Sequence, residues 1–176
     1  PTTAYGENTL GEIAAGDPVR LPDLATVFAR RAARLKELAA AHELEGFLRM
    51  VASLVEAQHA ALDGLPAGTL PGRTSLDPAQ TKRDPTWRVA LARILAAVDP
   101  AALPDAARRA RDELATATPD ALEALADGFL GGNVAAGDAA KTVFVAAALQ
   151  VAWTRMAALL DARDFASTET TRGDCP

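Results

Sequence analysis

Cysteine, histidine and aromatic residues are scarce in this sequence. Its 176 residues include one cysteine, Cys175, two histidines and 5% aromatic residues. A single cysteine excludes an internal disulfide framework. No uncharged apolar run reaches the roughly 18 residues of a membrane-spanning helix, so no membrane insertion is expected. The first residues are polar and acidic and lack the basic start and apolar core of a signal peptide, which favours a cytoplasmic location.

Alanine supplies about a quarter of the chain, and runs of Val, Ile, Thr and Tyr are rare. Alanine is the best helix former, whereas the scarce residue types favour strands. Apolar residues make up 49% of the chain, which excludes intrinsic disorder, because disorder requires low hydrophobicity. The composition therefore predicts an all-α fold: a single bundle of about six helices.

Acidic residues outnumber basic ones by 23 to 18, giving a formal net charge of −5. A negative field repels the phosphate backbone of nucleic acids. The sequence also shows no helix-turn-helix with a basic recognition helix. We therefore expect no nucleic-acid partner.

The apolar pattern divides the chain into an N-terminal arm (1–20), a helical bundle (21–164) and the start of a linker (165–176). Within the bundle, stripes at three- and four-residue spacing predict an antiparallel hairpin of helices over about 23–41 and 44–62. Asp23 and the Thr118-Pro119 pair are typical helix starts. The segment 64–84 contains three prolines and three glycines and is predicted to be a long loop and a first place to look for a contact surface.

The last predicted helix covers about 138–162. From Val143 to Thr154 it is apolar except for Gln150 and the terminal threonine. A helix that is apolar nearly all round is typically buried, so we place it at the centre of the bundle.

Catalytic signatures are missing from the sequence. His42 and His59 lie outside any metal-binding spacing, and no nucleophile elbow, Walker A loop or dinucleotide-binding glycine pattern occurs. Carboxylate pairs such as Asp112 and Glu113 lack a context that would tune their pKa. We therefore expect a protein that is not an enzyme and that holds no cofactor within this chain.

The most informative polar residues are Arg30, Arg31 and Arg34 on the first helix and Gln58 on the second. Arg31 falls on the apolar stripe, and Gln58 and Gln150 lie on otherwise apolar faces. A half-buried arginine must be paired to be tolerated. Two interpretations remain open: a hydrogen-bond network that fixes the register of the helices, or a polar patch that recognises a partner peptide.

Two segments together carry a family resemblance. The segment LPDLATVFARRAARLKELAAAHELEGFLRMVASLVEAQ (21–58) resembles the N-terminal helical hairpin of the formate dehydrogenase accessory protein family, FdhE. The segment FLGGNVAAGDAAKTVFVAAALQVAWTRMAALLDA (129–162) resembles a central helix region of that family. The resemblance implies a cytoplasmic, non-catalytic assembly factor that binds the catalytic subunit of a respiratory formate dehydrogenase before export.

The resemblance also implies a metal site further along. Members of the family continue with paired C-x-x-C motifs that bind iron as rubredoxin does. Cys175 matches the first of those ligands, and four thiolates are needed for such a site. We therefore expect a chain truncated before the cysteine-rich region, with iron only in the full-length protein.

Two other functions remain as alternatives. One is a chaperone for twin-arginine signal peptides, which would need an acidic groove for the basic leader. The other is a helical enzyme or small-ligand-binding protein with an apolar pocket beside the central helix.

Overall fold

A computed structural model describes residues 20–66 and 83–161. Within them the chain forms six α-helices and no strand, which confirms the all-α prediction. The helices are α1 (Val27–Ala39), α2 (Glu45–Ala61), α3 (Thr86–Ala97), α4 (Asp105–Ala115), α5 (Pro119–Leu130) and α6 (Ala139–Ala157), with short 3₁₀ turns at Pro100–Ala102 and Ala136–Asp138.

One compact unit, Pro22–Leu160, contains all six helices. The second unit, Pro1–Leu21 with Asp161–Pro176, lies almost entirely outside the described residues. Most of the predicted arm, the predicted linker and most of the 64–84 loop also lie outside them, so these assignments stay predictions.

The α1–α2 hairpin has the predicted form, but α1 begins later than Asp23. The carboxylate of Asp23 accepts hydrogen bonds from the Ala25 amide (3.0 Å) and the Thr26 hydroxyl (2.8 Å). Asp23 therefore stabilises a turn ahead of the helix, and α1 starts at Val27. Phe28, Ala32 and Ala39 are its buried residues, and the helix packs mainly on α2.

Helix α6 lies at the centre of the bundle and packs against α2, α3, α4 and α5. Its buried residues are Phe144, Val145, Ala147, Ala148, Leu149, Val151 and Ala152. Their small average size allows neighbouring helices to approach closely. The helix ends at Ala157, earlier than the predicted 162.

The burial of this central helix is incomplete, because one side of α6 is exposed. Val143 and Trp153 are 47% and 36% exposed, and Gln150 between them is exposed as well. These residues are spaced at seven and three positions, which places them along one side of a helix. The neighbouring helices cover the rest of α6 and leave this side open.

The shorter helices begin where local chemistry directs them. The Thr118 hydroxyl accepts a hydrogen bond from the Ala121 amide (3.3 Å), and Pro119 occupies the first helical position, as predicted. The Asp84 carboxylate accepts a hydrogen bond from the Thr86 amide (2.8 Å) at the start of α3. Arg93 donates to the Ala61 (3.3 Å) and Gly64 (3.2 Å) carbonyl oxygens and so closes the end of α2.

Candidate functional site

A chain of side-chain hydrogen bonds links three helices. The Gln58 amide of α2 is 2% exposed, and its Nε2 donates to the Ala147 carbonyl (2.9 Å) and to Gln150 Oε1 (3.0 Å), both on α6. Arg31 Nη1 of α1 donates to the same Gln150 oxygen (3.1 Å). We call Arg31, Gln58 and Gln150 the amide bridge. The hydrogen-bond network expected from the sequence is therefore present.

The residues of the amide bridge differ in exposure. Gln58 lies inside the bundle, so its amide is committed to α6 and is not on a surface. Arg31, expected to be half-buried, is exposed, because its long side chain carries the guanidinium beyond the apolar stripe. A prediction of partner contact therefore applies more directly to Arg31 than to Gln58.

The other two predicted arginines lie beside Arg31 on α1 and are exposed. Arg34 forms an ion pair with Glu37 at 3.0 Å, both side chains being about two-thirds exposed. The guanidinium of Arg30 has no hydrogen bond or ion pair among the described residues. The structure thus brings Arg30 and Arg31 together as neighbouring cations that no carboxylate in the described ranges neutralises.

A second polar cluster was not predicted. Glu123 on α5 accepts hydrogen bonds from Arg83 Nε (3.0 Å) and from the indole Nε1 of the buried Trp87 (3.1 Å), and it also pairs with Arg88. Arg83 pairs in addition with Asp127. We call these five residues the Glu123 cluster; it ties the start of α3 to α5.

The Glu123 cluster stabilises the charged form of Arg83. Burial lowers the pKa of the Arg83 guanidinium, but its hydrogen bonds with Asp127 and Glu123 outweigh that effect and raise the pKa above its ordinary value. Lys141 of α6 is held similarly: hydrogen bonds with Glu113 (2.7 Å) and Asp138 (3.1 Å) raise the pKa of its ammonium group. Arg83 thus links the segment before α3 to α5, and Lys141 links α6 to α4.

The exposed large apolar side chains include two groups, one on α6 and one at the α1–α2 hairpin. Val143 and Trp153 flank Gln150 on α6, and Leu38, Leu44 and Phe47 lie near the turn of the α1–α2 hairpin. Tryptophan and arginine are the residue types most often responsible for binding energy at protein interfaces. The side of α6 that carries Gln150 therefore has the composition of a protein-binding surface.

Metal-ligating groups do not cluster in the part of the chain that the structure describes: no three His, Cys, Asp or Glu side chains there could hold a metal ion. Cys175, the predicted first iron ligand, lies outside that part. None of the helices between residues 20 and 161 that the structure describes combines the length and hydropathy needed to cross a bilayer. His59 Nδ1 is buried without a hydrogen-bond partner among the described residues.

Together, these observations define an all-α helical-bundle domain with exposed arginines on its first helix. Comparison with known proteins identifies it further. A family model described as "FdhE, N-terminal" matches residues 16–170, and the chain therefore belongs to the FdhE family.

Curated relatives agree with the family assignment. The "Protein FdhE homolog" of Edwardsiella ictaluri is 33% identical over 177 residues, covering 95% of this chain and 56% of the relative. That of Serratia proteamaculans is 31% identical over 169 residues, covering 90% and 54%. The chain spans about half the length of the curated relatives it matches. No solved structure matches it.

Proposed function

We propose that this chain is the helical binding domain of a formate dehydrogenase accessory protein, a cytoplasmic, non-catalytic assembly factor that contacts the catalytic subunit before export. The observation that carries the proposal is the family match over residues 16–170. The open side of α6 and the neighbouring arginines of α1 support it, since they offer a surface of the type used in protein interfaces.

The charge of that surface favours this function over the signal-peptide alternative. A twin-arginine leader is basic and needs acidic contacts. Arg30 and Arg31 carry the same positive charge as such a leader, and they lack neutralising carboxylates among the described residues. A folded subunit with an acidic surface fits them better.

A direct binding measurement tests the proposal. The tagged chain and the full-length protein are each incubated with a formate dehydrogenase catalytic subunit and recovered on affinity resin. We expect both to retain the subunit, while an unrelated acidic helical protein of the same net charge does not. If neither the chain nor the full-length protein retains the subunit, the proposed function is wrong.

Iron is proposed only for the full-length protein, with Cys175 as a first ligand. Iron analysis of the full-length protein and of its Cys175→Ser variant checks this. Equal iron content in the two proteins would contradict the assignment of Cys175.

A further inference from the structure

Most cations in the described residues already have an acceptor. Eight of them pair with carboxylates: Arg34, Lys36, Arg49, Arg83, Arg88, Arg108, Arg111 and Lys141. Arg93 and Arg155 donate to backbone carbonyls. Arg31 likewise has no carboxylate partner there, but its guanidinium donates to a side-chain amide, the Gln150 oxygen, rather than to a backbone carbonyl.

The amide bridge orients Arg31 without neutralising it. Gln58 is buried and fixed to the Ala147 carbonyl, and it holds the Gln150 oxygen at 3.0 Å. That oxygen in turn accepts one N–H of Arg31 at 3.1 Å. A guanidinium has five N–H donors in a rigid fork. The remaining donors suit a carboxylate, which can bind an arginine through two parallel hydrogen bonds.

Apolar side chains lie near Gln150, the residue that accepts the hydrogen bond from Arg31. Trp153 lies one helical turn from Gln150, and Val143 lies two turns away on the same side of α6. An exposed tryptophan one turn from the residue that orients an arginine matches the composition of interface hot spots. The chain as a whole is acidic, so its net charge repels an acidic partner at long range, and the contact with Arg31 acts at short range.

We propose that Arg31, oriented by Gln150 and Gln58, receives a carboxylate from an acidic, partly apolar segment of the catalytic subunit, with Arg30 adding charge and Trp153 adding apolar contact. Gln150 and Gln58 are positioning residues in this arrangement. The inference rests on the proposed function, since it names the chemistry of the partner at that surface.

The experiment compares Arg31 with Arg109 of α4. Arg31 and Arg109 are both exposed, lie on helices and lack a carboxylate partner among the described residues, but Arg109 has no Gln150 to orient it. Binding of the full chain to the immobilised catalytic subunit is measured for Arg31→Gln and Arg109→Gln. We expect Arg31→Gln to weaken binding roughly tenfold or more, as for a hydrogen bond to a charged group, and Arg109→Gln to change it less than about twofold.

A second variant tests the positioning role. Gln150→Glu keeps the shape of the side chain but places a carboxylate against Arg31. That internal carboxylate competes with the partner, so binding falls by a similar factor while the melting temperature does not fall. Unchanged binding by Gln150→Glu would overturn the role of Gln150.

The outcomes separate this inference from the proposed function. If the unmodified chain fails to bind the subunit, both are wrong. If it binds and Arg31→Gln behaves like Arg109→Gln, only this inference is wrong. Binding of inorganic phosphate or a single-stranded oligonucleotide at Arg31 as tightly as the subunit would also overturn it, because the site would then be a general anion site.

Cross-linking identifies the acceptor on the partner. In the Arg31→Lys variant, a carbodiimide joins the introduced amine to a carboxylate in contact with it, and mass spectrometry locates the bond. We expect a cross-link to an Asp or Glu of the subunit. A cross-link found only within the chain itself would contradict the inference.

Discussion

The Glu123 cluster and the amide bridge both join distant helices through polar side chains, but they treat charge differently. In the Glu123 cluster, two arginines meet two carboxylates, and the indole of Trp87 fills a further acceptor position on Glu123. In the amide bridge, two neutral glutamines contact an exposed cation whose other guanidinium donors have no hydrogen-bond acceptor among the described residues.

The difference shows which polar cluster serves the fold and which is suited to binding. A cluster whose charges are matched internally has little left to offer a partner. A buried neutral anchor that presents an unneutralised guanidinium leaves binding capacity at the surface. The following predictions address that contrast, beginning with the largest expected effect.

Removing the central acceptor of the matched cluster tests how much it stabilises the fold. Glu123→Ala leaves Arg83, whose side chain is 13% exposed, with Asp127 as its remaining carboxylate partner. We expect a loss of about 2 kcal/mol in the free energy of unfolding, less than for a fully buried pair because Glu123 is 29% exposed. Urea denaturation measures it.

Glu37→Ala is the matched control for that variant, since it breaks the exposed Arg34–Glu37 pair. Its expected effect is below about 0.5 kcal/mol. Equal effects of the two variants would mean that the Glu123 cluster contributes no more than an ordinary surface pair.

The buried end of the amide bridge is examined with Gln58→Met, which keeps the volume of the side chain but removes both hydrogen bonds. We expect a loss of about 1–2 kcal/mol. Gln150→Met, at the exposed end, should cost less because Gln58 keeps its bond to Ala147. The reverse order, measured by chemical denaturation, would show that the bridge is anchored at Gln150.

His59 follows Gln58 in sequence, yet its buried Nδ1 has no partner among the described residues. His59→Leu removes this unpaired ring nitrogen, and we expect the free energy of unfolding to rise by up to about 1 kcal/mol. His42→Leu should instead lower the stability, because His42 Nδ1 accepts a hydrogen bond from the Leu44 amide at 3.0 Å. The melting temperatures of both variants at neutral pH test this prediction. A melting temperature of His59→Leu below that of the unmodified chain would contradict it.

The smallest effect concerns Lys141, whose pKa is raised in the folded protein by Glu113 and Asp138. A raised pKa contributes stability that is fully present below the unfolded-state value, about 10.4, and is lost as pH rises through the folded-state value. Lys141→Met should therefore melt below the unmodified chain at pH 7, and the gap should close at strongly alkaline pH. A gap that is constant with pH would contradict this.

Local chemistry made part of this structure predictable. Thr118 and Pro119 mark a helix start because both act on backbone groups within one turn, and Gln58 and Gln150 were conspicuous because amides on apolar faces need partners. The Glu123 cluster was missed because Arg83 and Glu123 are distant in the sequence and each looks like an ordinary surface charge alone. The exposure of Val143 and Trp153 depends on which helices cover α6, and hydrophobicity does not encode that.

The placement of α1 has a consequence for motion. This helix rests mainly on α2, so it can separate from the bundle by breaking fewer contacts than any movement of α6 would require. Segments with few tertiary contacts open at a lower free energy than the core, and their amides exchange with solvent sooner. Deuterium uptake should therefore be faster in α1 than in the middle of α6. A partner bound at Arg31 would slow deuterium uptake more in α1 than in the rest of the bundle.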